Sequence, residues 1–167
     1  MKYFILFIFS FSTLHLYAQH KDIPVTAEFV ITGAVNKEIT FRIADIAAMK
    51  QDVIGDVVLH GHKTDTAKQM KGVPLKDMID SAGIKAGDHK AYNSFVIILT
   101  ASDGYKNVYS WNELFNTDIG NRVYIITEMN GKTMDQMPDR IAVYSLADAF
   151  TGRRHMVGLA KIEVKQL

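Results

Sequence analysis

The sequence predicts an α+β domain built on mixed, mostly antiparallel sheets with short flanking helices. Three observations lead there. Apolar runs of strand length recur at 27–32, 38–42, 53–60, 95–100, 105–110, 123–127, 140–145 and 159–165. Turn signals such as Asp103-Gly104 and Asn130-Gly131 separate several of them. Only the segments 43–50 and 75–82 carry clear helical spacing, and both are short.

The first element is a leader. Lys2 precedes an apolar run from Tyr3 to Phe11, and Leu16-Tyr17-Ala18-Gln19 offers a small residue for cleavage. One basic residue, a short apolar core and such a site describe a secretory signal peptide over residues 1–18. The run is too short for a membrane span and is interrupted by Ser10, Ser12, Thr13 and His15. Residues 19–167 then form a single domain, large enough to bury a core without staples. The product is expected to be exported, to a periplasm or the medium.

Within the domain, 27–32 and 38–42 read as a hairpin around Gly33-Ala34-Val35-Asn36-Lys37. Residues 43–50 follow as a short helix, with Asp45 in its first turn complementing the dipole. Val53, Val57 and Leu59 alternate and mark a strand over 53–60, with 67–71 as its partner. Leu75, Met78, Ile79 and Ala82 fall on one face of a helix that Pro74 opens and Gly83 closes. Asp77 and Asp80 lie on its wet face. Residues 95–100 form an uninterrupted apolar strand, expected to be buried on both faces. Asn112–Phe115 is one helical turn, and 123–127, 140–145 and 159–165 are the closing strands.

The chain has 0 cysteines, which excludes disulfides, thiolate nucleophiles and cysteine-based metal sites. Without Lys2 the basic and acidic residues balance at 18 each. The charges are evenly spread, so neither nucleic acid nor an anionic membrane surface is an expected partner.

Four landmarks carry a resemblance. Lys71-Gly72-Val73-Pro74-Leu75-Lys76-Asp77-Met78-Ile79-Asp80-Ser81-Ala82-Gly83 is similar to a "G-V-P-L-x-D-L-L-x-x-A-G" pattern. Ala101-Ser102-Asp103-Gly104-Tyr105 matches an "A-S-D-G-Y" turn, and Met129-Asn130-Gly131 an "M-N-G" turn. Gly152-Arg153-Arg154-His155-Met156-Val157 resembles the start of "G-x-R-x-V-x-x-L-x-x-I-x-V". In this order they resemble the sulfite-oxidase-type molybdopterin-binding domain over roughly residues 25–165. The resemblance implies that fold, an oxidoreductase ancestry and a pocket for molybdopterin.

The chain departs from that pattern where the chemistry sits. A cysteine thiolate ligates molybdenum in the family, and His60 is the nearest residue to its place here. A lysine that helps hold the pterin phosphate is replaced by Val157, while Arg154 matches the arginine. Cofactor-loaded relatives are exported folded, which takes a twin-arginine signal. The segment before Phe4 holds Lys2 alone. The expected cofactor is therefore none, with molybdopterin as the alternative.

The candidate ligand site is Arg153, Arg154 and His155 facing Ser102 and Asp103, taking an anion or a pterin. His60 and His62, two apart on a strand, are the candidate metal ligands. Tyr105, Tyr109 and Trp111 are candidates to stack a planar ligand or simply to pack. The expected function is an exported module that binds a small anionic ligand or a protein partner and lacks molybdenum redox chemistry. The alternatives are an active molybdopterin-dependent oxidoreductase with a non-cysteine metal site, and a histidine-based zinc or copper protein.

Overall fold

A computed structural model of the chain describes residues 23–60, 64–138 and 140–167. The expected leader 1–18 and the candidate ligand His62 lie outside the described residues. The described residues form two five-stranded sheets, three short α-helices and four 3-10 turns.

The first sheet has the order β2-β1-β10-β5-β6. Its strands are β1 (Glu28–Gly33), β2 (Ile39–Arg42), β5 (Phe95–Ala101), β6 (Lys106–Ser110) and β10 (Leu159–Gln166). Only β1 and β10 run parallel; the other pairs are antiparallel. Phe29 and Phe41 pair across the β1–β2 hairpin with ring centres 5.5 Å apart. Strand β1 ends against β10 at Gly33, where the two backbones approach closely. The φ of Gly33 is +94°, and a Cβ there would lie 2.2 Å from the Val164 carbonyl oxygen.

The second sheet joins β3 (Asp52–His60), β4 (Thr64–Pro74), β7 (Val123–Met129) and β8 (Lys132–Thr133), with β9 (Val143–Ser145) pairing the start of β7 on the edge away from β4. All its pairs are antiparallel. Asn130 and Gly131, both at positive φ, turn β7 into β8 as the sequence predicts. Asn130 also docks this turn on β4: its Oδ1 accepts the Lys68 N–H at 2.8 Å and its own N–H donates to the Lys68 carbonyl at 2.7 Å.

The helices are α1 (Ile43–Ala48), α2 (Leu75–Ala82) and α3 (Trp111–Phe115). Asp45 accepts the Arg42 N–H at 2.9 Å and so caps α1. Helix α2 buries Leu75, Met78, Ile79 and Ala82, the stripe read from the sequence. Those side chains join Ile31, Ile97, Leu99 and Ile162 of the first sheet and Met70, Val73 and Ile125 of the second in one core. Each fully buried aliphatic chain contributes roughly 1.5–3 kcal/mol.

Three expectations are corrected by the fold. Val53, Val57 and Leu59 do not share a face: Val53 is 79% exposed, while Ile54, Val57 and Leu59 pack on the core. The β3–β4 register slips on both sides of Gly55, whose φ is +85°. A bulge inserts one residue and reverses the alternation. Strand β4 runs on to Pro74 rather than stopping near Lys71, because Lys71–Pro74 find partners on β7. Strand β5 buries only Phe95, Ile97, Leu99 and Ala101, leaving the intervening residues half-buried. An antiparallel sheet with one open face accounts for that pattern.

Candidate functional site

The site is built from the corner where the two sheets meet. Strand β9 ends at Ser145, and the chain then crosses to a 3-10 turn at Thr151–Arg153. Thr151 pins the far end to β3. Its hydroxyl accepts the His60 N–H at 2.8 Å and donates to the His60 carbonyl at 3.2 Å. Strand β6 pins the same loop from the other sheet. Tyr105 donates its hydroxyl to the Arg153 carbonyl at 2.8 Å, and Asn107 Nδ2 donates to the Arg154 carbonyl at 2.8 Å. The three segments singled out from the sequence, around His60, Ser102 and Arg154, thus lie about one loop.

Their side chains do not converge as a pocket. Ser102 donates its hydroxyl to the Pro24 carbonyl at 2.5 Å, and Asp103 accepts the Tyr105 N–H at 2.8 Å. Asp103 serves its own turn, and Ser102 ties that turn to the segment before β1. The His155 ring stacks on Tyr144 with centres 4.0 Å apart. Arg153 is exposed, as is the side chain of His60. Trp111 packs between Tyr92 at 4.7 Å and Phe115 at 5.4 Å, and Tyr109 is fully buried.

Arg154 turns inward. Its Nε donates to Asp148 Oδ2 at 2.7 Å and its Nη2 to Asp148 Oδ1, a two-pronged pair. Its Nη1 donates to Glu113 of α3. Its guanidinium carbon sits 4.4 Å from the centre of the Tyr109 ring. The Ser145 hydroxyl donates to Asp148 Oδ1 at 2.9 Å. One arginine therefore ties β6, α3 and the loop after β9 together.

These contacts set the protonation states. The hydrogen bonds from Arg154 hold the Asp148 carboxyl below its ordinary range, against the opposing effect of burial. The bonds to Asp148 and then Glu113 keep Arg154 charged. Burial pushes the Tyr109 phenol up to about 12. Because the folded pKa of Asp148 is depressed, its contribution is complete above the unfolded value near 4 and is lost as pH falls through the folded one. Urea titrations between about pH 5 and 2 are expected to show stability falling more steeply in the wild type than in Asp148→Asn. Equal slopes would assign the acid sensitivity elsewhere.

Beside this network lies a groove of about 720 Å³. Val57, His60, Arg122, Tyr124, Asp148 and Thr151 are among its lining residues. Arg122 is exposed and forms no ion pair among the described residues. Sequence reasoning missed Asp148, Glu113, Ser145 and Arg122. A half-buried arginine demands carboxylate partners, but nothing in a sequence says which of 18 acids supplies them.

No family model matches the chain, and no curated protein matches it. The structure is similar to the crystal structure of the sulfane dehydrogenase SoxCD from Paracoccus pantotrophus, with a TM-score of 0.62. The fold is distantly sulfite-oxidase-like. The match covers 87% of this chain at 13% identity, a level that speaks to fold alone. The chain spans 41% of the length of that neighbour. Arg154, which the "G-x-R" spacing singles out in the sequence, is paired with Asp148 and Glu113.

Proposed function

We propose that this chain is an exported binding module on a sulfite-oxidase-like fold, working without molybdenum redox chemistry. One observation carries the reading: the donor set does not fit a thiolate-ligated molybdenum cofactor. The chain has 0 cysteines. Among the described residues no three His, Asp or Glu side chains gather as metal ligands. Arg154, the arginine that matches the resembled motif, has Asp148 and Glu113 on its guanidinium. The groove is the proposed binding locus. Arg122 supplies a cation there, and Val57 with its neighbours supplies apolar wall. Of the two lining carboxylates Asp148 is paired with Arg154 while Asp56 is not, so the proposed occupant is a small anionic ligand or an acidic segment of a protein partner held at Arg122. The plain leader implies export before folding, which a buried cofactor would not survive. Among the described residues no helix is long and apolar enough to cross a membrane.

Elemental analysis and acid extraction of protein purified from its export compartment test this directly. The expected result is molybdenum far below one per chain and no oxidised-pterin fluorescence. Stoichiometric molybdenum and pterin would overturn the reading in favour of an active molybdopterin oxidoreductase. Stoichiometric zinc or copper, lost in His60→Ala, would replace it with a histidine-based metal protein.

A further inference from the structure

The Asp148 carboxylate fills a cluster of hydrogen-bond donors. Three donors meet its carboxylate: Arg154 Nε, Arg154 Nη2 and the Ser145 hydroxyl. A planar guanidinium fork with a hydroxyl beside it is a donor set that holds a free carboxylate or oxyanion. The frame around it is fixed. Ser145 is fully buried and paired with Val123 at the end of β9. The Arg154 carbonyl is held by Asn107, and its guanidinium rests on Tyr109. Asp148 itself belongs to the irregular stretch between β9 and the 3-10 turn, flanked by the small side chains of Ala147 and Ala149. It also lines the groove, so the position it fills adjoins open space.

We infer that Arg154 and Ser145 form an oxyanion-binding site whose occupant, in this chain, is the carboxylate of Asp148. A tethered carboxylate acts at high effective concentration, so free anions do not displace it in the intact protein. Removing the side chain leaves the donors facing the groove and able to take a small oxyanion from solution. External anions then meet Arg122 in the native protein and Arg154 only when Asp148 is gone. The inference stands on the network geometry and does not depend on the metal content of the protein.

The test uses acetate, which carries the group that Asp148→Gly removes. Unfolding midpoints at pH 7 are followed against acetate, with chloride at matched ionic strength as control. Asp148→Gly is expected to gain stability saturably, by about tenfold in its folding equilibrium at ten times the acetate dissociation constant. Wild type, with its site filled, and Asp148→Asn, with the site plugged by an amide, are expected to respond to acetate as they do to chloride. The gain should weaken in Ser145→Ala combined with Asp148→Gly, and phosphate should reproduce it in Asp148→Gly. A folded Asp148→Gly protein that ignores acetate sinks the inference, as does a wild type that titrates equally well. If Asp148→Gly does not fold in chloride, recovery of folded protein on refolding in acetate supports the inference, and continued failure in acetate counts against it.

Discussion

Replacing Arg154 with methionine is expected to destabilise the protein by about 2–4 kcal/mol. The variant keeps much of the side-chain volume and removes the charge. It leaves Asp148 and Glu113 with side chains only 15% and 25% exposed and no cation between them. Breaking a buried pair from one side costs about 3–5 kcal/mol, and the partial exposure here lowers that figure. The Tyr109 ring also loses the cation above it. A urea unfolding series gives the number. For a domain of this size the midpoint temperature should fall by roughly 10 °C. Adding Asp148→Asn and Glu113→Gln to Arg154→Met should recover part of the loss, because the stranded charges go too. A loss within about 0.5 kcal/mol for Arg154→Met, as at an ordinary surface position, would mean that the network is peripheral to stability.

Gly120→Ala is expected to cost about 3 kcal/mol or more. A Cβ at this buried position would lie 1.7 Å from the Leu114 carbonyl oxygen and 2.4 Å from its carbon. Both are backbone atoms, so no rotamer change relieves the clash. The turn Gly120–Arg122 must separate from α3, which carries Glu113, and the same turn delivers Arg122 to the groove. The variant should therefore unfold more readily and, where still folded, hold Arg154 less firmly. Hydrogen exchange of the Leu114–Val123 backbone is the direct readout. Wild-type protection in a stable Gly120→Ala protein would contradict the packing described above.

Much of the fold was legible because its signals are local. The α2 stripe, the Asp45 cap and the Asn130-Gly131 turn depend on residues within a few positions of each other. The errors came where a distant partner decides. Gly55 reads as one more residue of an alternating run, and only its pairing with Met70 of β4, with the register slipping on both sides, reveals the bulge that turns Val53 outward. The end of β4 depends on β7, some fifty residues further on.

The candidate site divides along the same line. Composition alone closes thiolate chemistry to this chain, since a polypeptide without cysteine offers no thiolate in any conformation. The glycine and arginine spacing of its loop also makes Arg154 conspicuous in the sequence. What that arginine does depends on the packing around it. Its charge could have faced a groove or an acid. The packing of β6, α3 and the loop after β9 placed two carboxylates and an aromatic ring around it. Charge pairing inside a protein depends on separation in space, and separation in space between residues 113, 148 and 154 is a property of the fold.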